Sequence, residues 1–256
     1  LIRRGKDADI IVLANQPLPA EAVAGWEKVR MLAVAFTGVD HIPLAECRKR
    51  DICVCNCAGY STAAVSDLVF GMLISFYRRL SACDSAVRAG KTKDGLIGFE
   101  LAGKKFGVIG TGAIGTRVLS IAQAFGCETY AYSRTKKDLA GVTYTDLDTL
   151  LSACDIVSLH VPLTEETRGL IHAGNISLMK KNAVLINTAR GPVVDSAALT
   201  AALQNQQIAG ACIDVFDTEP PLSTDLPLLQ EKNLIAAPHV GFATKEALQK
   251  RAVLVF

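Results

Sequence analysis

The hexapeptide Gly110-Thr-Gly-Ala-Ile-Gly115 follows directly on the apolar run Lys105-Phe-Gly-Val-Ile109 and precedes a helical stretch expected over residues 116–125. Gly110 permits a tight turn, Gly112 lets the backbone approach a pyrophosphate, and Gly115 allows helix and strand to pack closely. The helix that opens there presents unpaired N–H groups and a positive dipole end to phosphate oxygens. A second strand is expected over residues 128–131, and it runs into Tyr132-Ser133-Arg134-Thr135-Lys136-Lys137. A site for NAD usually has an acid at this strand end, which accepts hydrogen bonds from the ribose hydroxyls. Here Ser133 can donate to a phosphate and Arg134 can neutralise it, which favours NADP(H); NAD(H) stays possible if the cations are only a solvated strand end.

Hydride transfer to or from a carbinol carbon needs a group that exchanges the hydroxyl proton and a cation that holds a carboxylate or polarises a carbonyl. The chain has four histidines. His41 falls in a loop and His172 at a polar helix start. His160 and His239 each follow a strand, which is where open α/β sheets bind ligands. Arg190, in Ile186-Asn-Thr-Ala-Arg-Gly191, also lies beyond a strand and can grip a carboxylate through two hydrogen bonds. Glu219, in Asp214-Val-Phe-Asp-Thr-Glu219, is a third strand-end residue; beside an imidazole, a carboxylate fixes the ring's tautomer. One Arg, one Glu and one His from three such loops would complete a site for a 2-hydroxy acid.

Positioning such groups requires parallel strands with crossovers. Short β-rich runs at residues 10–13, 31–36, 52–55, 105–109, 128–131, 156–159, 183–187, 208–213 and 234–236 alternate with helical stretches. Those from Ile156 onward are almost wholly apolar, as expected of strands covered on both faces. A long helix is expected from Thr62 to about Arg88, followed by the loop Gly90-Lys-Thr-Lys-Asp-Gly95. A domain boundary is placed near this helix. Residues 1–66 are too few to bury a good core alone, so they are expected to pack with the C-terminal helix at 242–256, leaving 67–241 as the dinucleotide-binding domain.

Half of the 256 residues are hydrophobic, a fifth are charged, and the net charge is +2. This is a globular balance with no field that points to nucleic acid or to an anionic membrane. No apolar run is long enough to span a bilayer, and Leu1-Ile-Arg-Arg-Gly-Lys-Asp7 lacks the apolar core of a secretory signal, so a cytoplasmic location is expected. The chain opens almost at once on a strand and ends in a helix, so residues are expected to be missing from the front of the smaller domain. Of eight cysteines, Cys53, Cys55 and Cys57 alternate along one strand. A soft-metal site there would want further ligands, and none stands at ligand spacing; small buried residues in a reducing compartment are the expectation, with no metal.

The chain resembles the D-isomer-specific 2-hydroxyacid dehydrogenases over essentially its whole length. The resemblance is carried, in order, by Phe36-Thr-Gly-Val-Asp-His41, Gly59-Tyr-Ser-Thr-Ala-Ala-Val65, Gly110 to Gly115, His160-Val-Pro-Leu-Thr-Glu-Glu-Thr-Arg-Gly169, Asn187-Thr-Ala-Arg-Gly191, Gly210-Ala-Cys-Ile-Asp-Val-Phe-Asp-Thr-Glu-Pro220 and Pro238-His-Val-Gly241. It implies an α/β fold of two Rossmann-like domains with doubly wound parallel sheets, the smaller being the substrate domain. It implies His239 as acid/base with Glu219 as its partner, and Arg190 on the substrate carboxylate and carbonyl. Asp214 would orient the nicotinamide carboxamide, and Thr188 and Ala189 would approach the nicotinamide. Ala113 and Ile114 would lie on the pyrophosphate turn, and Val161 and Pro162 would line the cofactor cleft, with His160 a wall residue. Thr37 would reach the cofactor from the substrate domain, where Thr37, Gly38 and Val39 would cradle the carboxylate. The substrate would be a small 2-oxo acid such as hydroxypyruvate, glyoxylate or pyruvate. The family also implies a homodimer formed through the dinucleotide domain, with residues 62–101 contributing. A dinucleotide-sensing corepressor of the same fold, which keeps a similar Arg, Glu and His, is the alternative reading.

Overall fold

The computed structural model describes residues 2–219 and 222–255. Pro220, which closes one segment of the resemblance, lies outside the described residues. The chain divides into two compact units, one made of residues 1–62 with 242–256 and the other of residues 63–241.

The larger unit holds a seven-stranded parallel sheet. Its strands are β4 (Lys105–Ile109), β5 (Glu128–Tyr132), β6 (Val142–Tyr144), β7 (Ile156–Leu159), β8 (Val184–Asn187), β9 (Gly210–Ile213) and β10 (Leu234–Ala236). They run in the order β10-β9-β8-β7-β4-β5-β6. The order reverses between β4 and β7, so the crevice of a doubly wound sheet opens beyond the carboxyl ends of those two strands. Every residue of β7, β8 and β9 is buried. Their side chains alternate between two cores. Val157, Leu159, Leu185, Ala211 and Ile213 join one cluster; Ile156, Val184, Ile186 and Cys212 join the other, with Phe106 and Val108. The helices Leu147–Ala153 and Ser196–Gln204 cover the first face, and Thr62–Arg78 and Ala113–Ala124 cover the second. Continuous apolar strands are therefore the consequence of helices on both faces.

The smaller unit holds a three-stranded parallel sheet of β1 (Ile10–Leu13), β2 (Met31–Val34) and β3 (Cys53–Asn56), in that order. Leu32 and Val34 point into a core with Val23, Trp26 and Ile52. The C-terminal helix Lys245–Val255 belongs to this unit.

Four local expectations are corrected. The long helix is two helices, Thr62–Arg78 and Leu80–Arg88. Arg79 between them adopts a left-handed conformation (φ 52°), which no helix interior tolerates, and its guanidinium binds the Gly95 carbonyl. The helix after the glycine turn begins at Ala113, three residues earlier than expected, because Gly112 itself is the N-cap. The edge strand β6 was not expected, because Val142-Thr-Tyr144 has a polar centre and makes no apolar run. Cys53 and Cys55 are exposed rather than buried, since they pair with Met31 and Ala33 on the sheet face opposite Leu32 and Val34, while Cys57 is buried. All eight cysteines are free thiols.

Gly107, in the middle of β4, shows how closely the first face is packed. A methyl group there would stand 2.6 Å from Leu150 Cδ2 and 2.9 Å from Cys154 Sγ. Gly107→Ala should lower the unfolding free energy by about 1–3 kcal/mol in urea titrations through overpacking; undiminished stability would contradict this packing.

Candidate active site

All seven strands of the larger sheet are parallel, so the loops after them emerge on one edge. Gly110 follows β4, Ser133 follows β5, His160 follows β7, Thr188 to Arg190 follow β8, Asp214 follows β9, and His239 follows β10 by three residues. The sequence-predicted residues of this unit are thus gathered on one side of the sheet.

Asp214 is the hub of the right-hand loops. It is 1% exposed, and its carboxylate accepts the amides of Val240 (2.8 Å) and Gly241 (2.8 Å). Its carbonyl accepts the His239 amide at 2.7 Å. These three bonds hold His239 at φ 55°, a conformation that costs a non-glycine residue roughly 1–2 kcal/mol. Burial pushes the Asp214 carboxyl up from its ordinary value, opposed by the two amides that favour its charged form. Gly241 has to be glycine, since a Cβ there would lie 2.9 Å from Asp214 Oδ2.

So held, His239 turns Nδ1 to Glu219 Oε2, and the other Glu219 oxygen accepts the Phe216 amide. A carboxylate only accepts, so Nδ1 carries the proton of this bond and exchange with a substrate falls to Nε2. Arg190 is set by Asn187, the last residue of β8. The Asn187 amide group donates to the Arg190 carbonyl (2.9 Å) and accepts the Ala189 amide (3.0 Å). Arg190 Nη1 donates to the Ala189 carbonyl at 2.7 Å. Gly191 lets this loop pass against its neighbour, for a Cβ there would run into the Phe216 carbonyl.

The glycine turn meets the switch point. Gly110 has φ 98°, and a Cβ on it would lie 2.6 Å from the His160 carbonyl oxygen and 2.9 Å from Val161 Cγ1. A Cβ on Gly115 would strike the Gly110 carbonyl. At Gly112, by contrast, nothing lies within 4 Å of where a Cβ would be.

The family profile described as D-isomer specific 2-hydroxyacid dehydrogenase, NAD binding domain, matches residues 70–241. The chain belongs to the D-isomer specific 2-hydroxyacid dehydrogenase family. A glyoxylate reductase of Thermococcus litoralis is 40% identical to it over 268 residues, covering 100% of this chain and 80% of the relative. The crystal structure of a D-lactate dehydrogenase from Aquifex aeolicus, complexed with NAD and lactic acid, matches with a TM-score of 0.92 at 34% identity, over 100% of this chain and 83% of that one. An acyclic imino acid reductase in complex with NADPH and D-Arg matches with a TM-score of 0.93 at 29% identity, over 99% of this chain and 82% of that one. This 2-hydroxyacid dehydrogenase is accordingly an oxidoreductase that uses a nicotinamide dinucleotide and a small 2-oxo or 2-hydroxy acid. The corepressor reading finds no support in these relatives.

The dehydrogenase's own residues fit a dinucleotide. The open space above Gly112 is a cradle that any side chain would fill, and it faces the first turn of a twelve-residue helix, with Ala113 and Ile114 at its start. Thr188 is 9% exposed, and its buried hydroxyl oxygen has no hydrogen-bond partner among the described residues. Such a group is costly unless a ligand satisfies it.

The other sequence candidates separate by environment. His41 Nε2 donates to the Ala14 carbonyl at 2.8 Å, and His172 caps the helix Ala173–Ile176 by accepting the Gly174 amide at 3.1 Å. His160 shares a 2.9 Å hydrogen bond with the buried Ser158 hydroxyl. Pro162 accepts a 2.6 Å hydrogen bond from Thr167, which fixes the loop beyond Val161. In the smaller unit, the Thr37 carbonyl accepts the Asn56 side chain at 2.7 Å, the Val39 carbonyl accepts the Ile42 amide at 3.0 Å, and Gly38 lies between them. Phe36 beside this loop packs edge-on against Phe242, with the Arg251 guanidinium 4.9 Å from its ring centre. The sequence reading did not single out Asn187 or Gly191, although both stand inside a quoted motif; their roles lie in backbone contacts that no side-chain pattern announces.

Burial lowers the His160 pKa to about 3. A histidine whose folded pKa is depressed contributes stability above its unfolded value and loses it as pH falls toward the folded one. Between about pH 6.5 and 4, stability should therefore fall less steeply for His160→Gln than for the parent, by at most about 1.4 kcal/mol per pH unit, in urea unfolding. Equal slopes would contradict a neutral, partly buried imidazole.

Proposed function

We propose that this dehydrogenase reduces a small 2-oxo acid of the glyoxylate, hydroxypyruvate or pyruvate type to the D-2-hydroxy acid, with His239 as proton donor. The observation that carries the reading is the His239–Glu219 contact, which commits Nδ1 and leaves proton exchange to Nε2. When bound, the reduced nicotinamide supplies a hydride to C2 of the 2-oxo acid. Protonated His239 gives its Nε2 proton to the carbonyl oxygen, and Glu219 keeps the ring oriented and offsets its charge. Arg190 holds the substrate carboxylate and polarises the carbonyl. Thr37, Gly38 and Val39 contribute backbone groups for the carboxylate from a substrate domain made of residues 1–66 and 242–256, and Thr37 contacts the cofactor.

Gly110, Gly112, Ala113, Ile114 and Gly115 form the pyrophosphate site. Val161 and Pro162 line the cleft, and Thr188 and Ala189 meet the nicotinamide. Asp214 orients the nicotinamide carboxamide, for which each carboxylate oxygen keeps a lone pair, and the two backbone amides it accepts give it a positioning role on the His239 loop as well. Ser133 and Arg134 favour NADP(H) over NAD(H).

The enzyme is proposed to act as a homodimer through the dinucleotide domain. Support comes from the exposed apolar side chains Leu80, Val87, Ile97 and Phe99 in the segment 62–101. A monomer in size-exclusion chromatography with light scattering would refute it. Eight free thiols support a reducing, cytoplasmic compartment, and a stable disulfide in the native enzyme would count against that.

His239→Ala should lower turnover by about 10²–10⁴-fold while NADPH still binds, as read by cofactor fluorescence and loss of NADPH absorbance with glyoxylate. Near-normal turnover would refute the role. Arg190→Ala should chiefly raise the KM for the 2-oxo acid; an unchanged KM would refute a carboxylate contact.

A further inference from the structure

Beyond the glycine turn, the loop Ser133 to Lys137 is tied down by a chain of hydroxyl groups that the mechanism above does not use. The Lys137 amide donates to the Tyr144 hydroxyl (3.1 Å), which donates to Thr111 Oγ1 (3.3 Å), which donates to the Thr135 carbonyl (3.5 Å). Each hydroxyl has one proton, and a carbonyl only accepts, so the direction of the chain is fixed from the amide to the carbonyl. Thr111 is 2% exposed and lies inside the glycine turn, where the Thr116 hydroxyl donates to its carbonyl at 3.2 Å. The Tyr144 ring packs on the second core, and its residue aligns with Ala131 across β5 and β6. Thr111 is buried and Tyr144 partly buried, while Arg134, Lys136 and Lys137 are exposed.

The same turn sets Ser133. The Thr111 amide donates to Ser133 Oγ at 3.4 Å. With that lone pair engaged, the Ser133 proton is available to an acceptor such as a phosphate oxygen.

We infer that Tyr144 and Thr111 are positioning residues for cofactor choice: their relay holds Ser133, Arg134 and Lys137 in the shape that receives a 2′-phosphate on the adenosine ribose. This rests on the NADP(H) reading above. Loop cations bind a dianion more tightly when their ordering cost is met before binding, and the relay meets it. A ligand without the 2′-phosphate reaches the glycine turn but makes no use of the loop.

The test is calorimetric binding of adenosine 2′,5′-bisphosphate and of ADP-ribose to the parent enzyme, Tyr144→Phe, Thr111→Val and Thr111→Ser. The phenylalanine keeps the packed ring, and the serine keeps the relaying hydroxyl. Expected is tighter binding of the 2′-phosphorylated ligand by the parent. Tyr144→Phe should weaken that ligand by about three- to tenfold, the size of a lost neutral hydrogen bond, with ADP-ribose changing less than twofold; Thr111→Val should weaken it as much, and Thr111→Ser should restore the parent value. If the parent prefers the 2′-phosphate and both relay variants keep the preference, or lose both ligands equally, the inference is overturned and the NADP(H) reading stands. If the parent shows no preference for the 2′-phosphate, that reading fails and takes the inference with it.

Discussion

A buried carboxylate holds together the loops after β9 and β10 in this dehydrogenase. Asp214 follows β9 directly, and its two oxygens accept the amides of the two residues that follow His239. The left-handed turn at His239 is tolerable only because three hydrogen bonds converge on this one residue. The turn aims the imidazole at Glu219, which is itself tied to the Phe216 amide two residues beyond Asp214. The Arg190 loop passes the same Phe216 carbonyl, and only a glycine at 191 lets it do so. His239, Glu219 and Arg190 thus share a single backbone scaffold, which is how residues from three separate loops reach fixed positions.

The sheet order supplies the other half of the arrangement. Strand β4 delivers the glycine turn to one side of the switch point, and β7 delivers His160 and Val161 to the other. A dinucleotide laid across this crevice would have its pyrophosphate at the start of the helix Ala113–Ala124 and its nicotinamide toward Thr188. Burial keeps the His160 imidazole neutral, which suits a cleft wall and not a proton carrier working near neutrality.

Much of this was legible in the sequence, for physical reasons that vary by element. Strands covered on both faces wrote themselves as apolar runs, so β4 and β7 were placed to the residue. The edge strand β6 was not, because Thr143 interrupts Val142 and Tyr144 and leaves no apolar run. Arg79 broke a helix whose apolar period continues on both sides of it; its left-handed backbone depends on a contact with Gly95, sixteen residues away. Cys53 and Cys55 were assigned to the wrong face, because strand alternation says which residues share a side but not which side is covered. At the site, Arg190, Glu219 and His239 were each ordinary surface types, readable only through their order along the chain and the motifs around them. Asn187, Gly191 and the Tyr144 relay act through backbone geometry and long-range pairing, which no local spacing encodes.

The central claim is that Asp214 serves catalysis by holding the His239 loop. Asp214→Asn keeps the size of the side chain but sets an NH2 donor against one of the two backbone amides that the carboxylate accepts. The decisive measurement is its kcat set beside its dissociation constant for NADPH. The account predicts a loss of roughly 10²-fold or more in kcat with NADPH binding changed less than about threefold, since a misplaced acid removes proton transfer and leaves the pyrophosphate turn intact. Unchanged turnover, or an equal loss in turnover and in NADPH binding, would contradict it.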